Sequence, residues 1–107
     1  MSQSKALAMI GLATRSGNVV SGEFSTEKAV KTGRAHLVIV AGDASDNTKK
    51  KFSNMCSFYQ VPIIFLNEKK ELGHAMGKEF RASLAILDLG FANGILKHVE
   101  AESGLNS

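Results

Sequence analysis

Apolar residues in this chain of 107 residues fall into two patterns. Some form short unbroken runs, and others recur every three or four positions. The runs are residues 37–41 (LVIVA), 61–66 (VPIIFL) and 84–88 (LAILD). Unbroken runs of this length, rich in β-branched side chains, predict strands buried on both faces. Pro62 sits near the start of its run, where a missing N–H is tolerated. Val19 and Val20 add a short extended piece.

Between the runs the spacing becomes helical. Residues 4–15 place Leu7 and Ile10 three apart and bring Ala6, Ile10 and Ala13 close to one face, with Gly17 as the stop. Residues 24–32 predict a second helix that ends before Gly33. The stretch Asp43-Ala44-Ser45-Asp46 supplies turn and cap chemistry for a third, whose apolar stripe is Phe52, Met55, Cys56 and Tyr59. Residues 69–76 predict a short helix, and Phe91, Ile95 and Val99 mark the last. Helices alternate with short strands throughout. The expected fold is α/β, a three-layer α/β/α sandwich around a small, mostly four-stranded mixed sheet. It fills one domain over residues 1–101, followed by a polar tail at 102–107.

Composition narrows the chemistry. Thirteen Lys and Arg against ten Asp and Glu leave a net charge of +3, a mild excess that permits an anionic partner. The lone cysteine, Cys56, cannot form an internal disulfide, and its place on an apolar stripe predicts a small buried hydrophobe. The apolar run at residues 6–13 is too short to span a bilayer and lacks a signal-peptide pattern, so a cytoplasmic location is expected, without membrane association. His36, His74 and His98 are scattered and show no metal-ligand spacing, and neither a phosphate-binding loop nor a dinucleotide fingerprint occurs. The expectation is a chain that is not an enzyme, with no cofactor, metal or small-molecule substrate. Asp43 and Asp88 fall at strand ends, where they serve either as turn and helix caps or as active-site acids. Met9, Met55 and Met76 read as gap-filling core.

Charge placement carries more. Residues 28–51 hold six cations (Lys28, Lys31, Arg34, Lys49, Lys50, Lys51) against two acids, Asp43 and Asp46. The lysine triplet is either a solvated helix face or a phosphate-contacting patch. Aromatic residues make up only 7% and most fall in helical stripes, so no stacking platform for single strands is expected. Two glycine-bearing segments remain. Gly17-Asn18-Val19-Val20-Ser21-Gly22 leads into the helix that carries Lys28, whose N-terminal amides suit phosphate or base-edge acceptors. Residues 72–81 read as a helix ending at Gly77 and a loop with two cations, Lys78 and Arg81.

In order and separation, an extended set of segments resembles the L7Ae/L30e superfamily of ribosomal and kink-turn-binding proteins, in particular its bacterial YlxQ-like branch. The matching stretches are residues 11–17 (GLATRSG), 20–22 (VSG), 28–30 (KAV), 37–41 (LVIVA), 43–50 (DASDNTKK), Val61-Pro62, 71–73 (ELG), Gly77 and 87–92 (LDLGFA). They cover about residues 5–99. The resemblance implies an α/β/α sandwich that binds kinked duplex RNA. The second helix would enter, by its N-terminus, a major groove widened at tandem sheared G·A pairs, since a straight A-form groove is too narrow to read. It places Gly22 at the close backbone approach and Lys28 at the guanine edges; Glu23 is counted with the RNA-binding residues, and Lys28, Lys31, Arg34 and Arg81 are expected to neutralise phosphates. The loop Lys78-Glu79-Phe80-Arg81 would pack over the bulged nucleotides, and Leu72 and Gly73 are counted with the RNA-binding residues. Phe24 and Ser25 stand where archaeal members carry an Asn-Glu pair. Phe24 cannot hydrogen-bond as asparagine does, and Ser25 reaches less far than glutamate, which shifts the contacts toward backbone amides, Lys28 and phosphates. Alternatively Phe24 is a hydrophobic staple at the helix entry and the site has decayed. The expected function is a monomeric, ribosome-associated binder of structured RNA; the alternative is a protein-interaction module on the same fold.

Overall fold

The computed structural model describes residues 4–104. The sequence folds as nine elements: α1 (Lys5–Arg15), β1 (Val19–Ser21), α2 (Glu23–Lys31), β2 (Leu37–Val40), α3 (Asp46–Tyr59), β3 (Ile63–Phe65), α4 (Lys69–Ala75), β4 (Ser83–Ile86) and α5 (Leu89–Gly104). The strands make one mixed sheet in the order β1-β4-β2-β3. β2 and β3 run parallel, joined by the α3 crossover, and β4 is antiparallel to both of its neighbours. Helices α2 and α3 pack on each other and cover one face, and α1, α4 and α5 cover the other. This is the three-layer α/β/α arrangement that the alternating pattern predicts.

The two central strands explain the apolar runs. Every residue of β2 and of β4 is buried, since each is flanked by strands and covered by helices. Around them Ile10, Phe52, Leu72 and Ile95 are fully buried, one from each of four helices. Each such side chain contributes roughly 1.5–3 kcal/mol by leaving water.

Several expectations change at the periphery. β3 spans only Ile63–Phe65 rather than residues 61–66, and it is not buried on both faces: it is an edge strand, and Phe65 is 47% exposed. β4 ends at Ile86, short of Asp88. On α3 the stripe holds for Phe52 and Cys56, while Tyr59, in the last turn, is exposed. Asp43 and Asp88 are caps. Asp43 Oδ1 accepts from the Lys69 N–H at 2.8 Å and Asp88 Oδ2 from the Phe91 N–H at 2.9 Å. α5 runs to Gly104, past the expected start of the tail at 102, and the rest of that tail lies outside the described residues.

Candidate functional site

The sheet register brings the two glycine-bearing segments together. Ser21, the last residue of β1, pairs with Leu84 at the start of β4. One residue on, the Gly22 N–H donates to the Ser83 carbonyl at 3.0 Å, so β1 stays attached to β4 up to the entry of α2. Arg81 fastens the other side. Its Nε donates to Ser21 Oγ and one Nη to the Phe80 carbonyl, both at 2.8 Å, while its backbone N–H donates to the Lys69 carbonyl at 3.0 Å. Gly73 holds the loop against α4: a Cβ there would stand 2.6 Å from the Glu79 carbonyl oxygen, closer than any real contact. Behind the site, Ser83 Oγ reaches Thr26 Oγ1 at 3.4 Å inside the core. The α2 entry and the 78–81 loop therefore share one rigid support.

Local geometry sets α2 apart from the other helices. The first amides of any helix lack intrahelical acceptors. In α1, Ser4 Oγ accepts from Ala6 and Leu7. In α3, Ser45 Oγ accepts from Thr48 at 3.1 Å. Glu71 accepts from the Glu68 N–H at the start of α4, where Asp43 also acts, and Asp88 serves α5. At α2 the cap position is Gly22, and no side chain caps the helix. Gly22 has φ 93° and ψ 160°, a conformation reserved for glycine, and the space in front of its Cα is open. Phe24 follows, 77% exposed, so it is not a staple at the helix entry. Ser25 is half-buried, and Lys28, one turn on, is exposed.

Ion pairs redistribute the basic run. Lys51 Nζ lies 2.7 Å from a Glu23 oxygen and 2.8 Å from one of Glu27, and Lys31 Nζ lies 2.7 Å from Glu27. The hydrogen bonds from Lys31 and then Lys51 hold the Glu27 carboxyl at about 2, below its ordinary 4.5. Those from Glu23 and Glu27 raise the Lys51 ammonium above its ordinary value. Lys51 thus ties α3 to α2. Glu23 and Glu27 lie just before the basic run of residues 28–51, and the i, i+4 spacing of Glu27 and Lys31 marks one of these pairs in the sequence. Among the described residues Lys28 and Arg34 have no ion-pair partner.

Other expected site residues divide. Lys78, Glu79 and Phe80 are exposed at the loop tip, with Phe80 57% accessible. Leu72 is fully buried and Gly73 lies under the loop backbone, so neither offers a contact surface; they position the loop instead. Arg81 is half-buried and already engaged at Ser21 and Phe80. Cys56 is buried, and desolvation pushes its thiol up to about 11, which keeps it protonated and unreactive near neutrality. The expectation that aromatics lie in buried stripes fails: Phe24, Phe58, Tyr59, Phe65 and Phe80, five of the seven, are exposed. Among the described residues no group of three or more His, Cys, Asp or Glu stands at metal-binding geometry, and no helix is long and apolar enough to cross a membrane. A groove of about 910 Å³ between α1 and α4 lies in the opposite helical layer and includes no residue of α2.

Comparison with known proteins agrees with the fold. The model of the ribosomal protein L7Ae/L30e/S12e/Gadd45 family matches residues 4–95. The RNA-binding protein YlxQ of Bacillus subtilis (strain 168) is 42% identical over 88 residues, covering 82% of this chain and 88% of that one. The RNA-binding protein YlxQ of Enterococcus faecium is 40% identical over 96 residues, covering 90% and 92%. Among solved structures, a Bacillus halodurans protein of unknown function superposes with a TM-score of 0.89 at 35% identity, covering 92% of this chain and 99% of that one. A 15.5 kD RNA binding protein of Giardia lamblia superposes with a TM-score of 0.76 at 27% identity, covering 89% and 84%.

Proposed function

Because the chain belongs to the ribosomal protein L7Ae/L30e/S12e/Gadd45 family, we propose that it binds structured RNA without chemically changing it, recognising a kink turn or a related internal loop by shape. The observation that carries this reading is the contrast in capping. Side chains satisfy N-terminal amides at α1, α3, α4 and α5, and α2 is left open beside the 78–81 loop. Open amides and the positive end of the helix dipole suit phosphate oxygens and base-edge acceptors. A kink widens the otherwise narrow major groove enough to admit that end. Lys28 then reaches base edges, Lys31 and Arg34 neutralise phosphates, and Phe80 with Lys78 lies over the unpaired nucleotides. Arg81 acts mainly by holding the loop to Ser21.

The names of the YlxQ relatives and of the Giardia protein support RNA as the partner. The family description, which names ribosomal proteins, supports a place on or near the ribosome; we read the protein as a cytoplasmic monomer bound to ribosomal RNA. The test is titration of a kink-turn duplex beside a copy whose G·A pairs are replaced by Watson–Crick pairs. The kinked duplex is expected to bind about tenfold or more tightly, a difference of about 1.4 kcal/mol. Equal affinity overturns recognition by shape.

A further inference from the structure

Phe24 is the residue that groove entry does not use. It occupies the first turn of α2, is 77% exposed and has polar neighbours on both sides, Glu23 and Ser25. The ring is not part of the core, to which α2 contributes Thr26, Ala29 and Val30 instead. Phenylalanine neither donates nor accepts a hydrogen bond, so whatever it meets, it meets by its ring. One turn along, Lys28 and Lys31 share with it a shallow hollow of about 250 Å³, closed by Glu27 and Thr32. The lysine stems supply an apolar wall, with the Lys31 ammonium held by Glu27 at 2.7 Å and the Lys28 ammonium without an ion-pair partner among the described residues. An aromatic face bordered by cations, at the positive end of a helix, is complementary to a planar base attached to a phosphate.

We propose that Phe24 is a stacking perch for one unpaired base, seated beside the hollow whose wall the Lys28 and Lys31 stems form. This rests on the RNA reading above and deepens it. At this position the chain grips a splayed nucleotide by its face instead of hydrogen-bonding a base edge. Stacking tolerates every base, so the contact selects an unpaired nucleotide and not a sequence. Phe24 thereby distinguishes a kinked or looped RNA from a continuous duplex whose bases are all stacked on one another.

The chain contains no tryptophan, so Phe24→Trp installs a single indole at the perch. The exposed position lets Trp, Leu and Ala variants fold alike, which circular dichroism checks. Each is titrated with an end-labelled kink-turn duplex, with its Watson–Crick copy, with a copy whose unpaired nucleotides are abasic, and with a short unpaired oligonucleotide. We expect Phe24→Trp to keep its affinity for the kinked duplex and to lose indole fluorescence on binding. Phe24→Leu, which keeps apolar bulk without a ring, is expected to bind about tenfold more weakly, as is the wild-type protein on the abasic copy. If Phe24→Leu binds like the wild type and the indole stays bright when the labelled RNA is saturated, the perch is refuted and the ring belongs to a protein-facing surface. If kinked and Watson–Crick duplexes bind equally but the unpaired oligonucleotide still quenches the indole, shape recognition fails and the perch stands. Silence from all four RNAs overturns both.

Discussion

The N-termini of α2 and α3 belong to neighbouring helices in one layer, and they are built in opposite ways. At α3, Ser45 takes an extended conformation, its hydroxyl accepts from the Thr48 amide, and Ala44 beside it is buried. That end is closed. At α2, Gly22 takes a conformation that no serine, asparagine or aspartate adopts without strain, and no side chain caps the helix beyond it. The cause lies in the sheet. β1 remains bonded to β4 through the Gly22 N–H, and the chain must then turn sharply into the helix. Ordinary capping is unavailable at that corner, and glycine is the residue that makes the corner. An open helix end here is the direct product of strand pairing that also places the 78–81 loop beside it.

The largest effect comes from disturbing that corner. Gly22→Ala meets no clash, yet it forces an L side chain into a glycine conformation. It is expected to cost about 1–3 kcal/mol of folding stability, lowering Tm by roughly 5–15 °C, and to weaken RNA binding because the helix entry is re-aimed. Ser45→Ala at the closed end is the control: about 1 kcal/mol of stability and no change in RNA affinity. Thermal melts and titrations of both variants check the pair. If Gly22→Ala melts with the wild type, the glycine corner is not what keeps α2 open.

Next in size is the charge carried by each helix. Lys28→Ala is expected to weaken kink-turn binding by about 1–3 kcal/mol while leaving Tm unchanged, because Lys28 is exposed and has no ion-pair partner among the described residues. Lys50→Ala on α3 is expected to cost little and to act equally on kinked and straight RNA. A loss confined to kinked RNA in Lys50→Ala would place the recognition surface on α3 instead.

Element order, layers and central strands could be read in the sequence because each rests on a local pattern. An unbroken apolar run such as LVIVA has few places to go except the middle of a covered sheet. The edge strand misled, since VPIIFL carries the same apolar run as a central strand and only tertiary pairing shows that β3 has one neighbour. Of the candidate site, the glycine at the entry of α2 and the exposed cation one turn on, Gly22 and Lys28, were legible. It was not legible where a side chain's partner is remote in sequence. Leu72 and Gly73 belong to the supporting core. Arg81 is drawn to Ser21, sixty residues away. Lys51 is drawn to Glu23 and Glu27. Helical spacing placed Phe52 and Cys56 inside correctly, but it gives no means of knowing that Phe24, a single aromatic among polar residues, points outward.

The smallest effect concerns the tie between the two helices, and its pH dependence has a definite sign. Glu27 ionises in the folded protein at about 2 against an ordinary 4.5, because Lys31 and Lys51 bond its carboxylate. A carboxyl with a depressed folded value stabilises the fold above its unfolded value, and that contribution is lost as pH falls through the folded one. The Glu27 contribution is therefore complete above about pH 4.5 and fades toward pH 2. Lys51 has the opposite slope: its contribution is present below the ordinary lysine value and is lost in strong alkali. Urea unfolding of the wild type and of Glu27→Gln should differ slightly at pH 6, and the gap should close as the pH is lowered to 2. High salt should narrow the gap at pH 6, because all three partners are in contact with solvent. The same variant separates the two helix ends in binding. Removing a negative charge from the first half of α2 should tighten RNA binding slightly, whereas Lys51→Ala, which leaves Glu23 without its partner and Glu27 with Lys31 alone, should weaken it without Lys51 ever touching RNA. If Lys51→Ala leaves RNA affinity unchanged at low salt, the acids of α2 are remote from the bound strand, and the open end faces elsewhere.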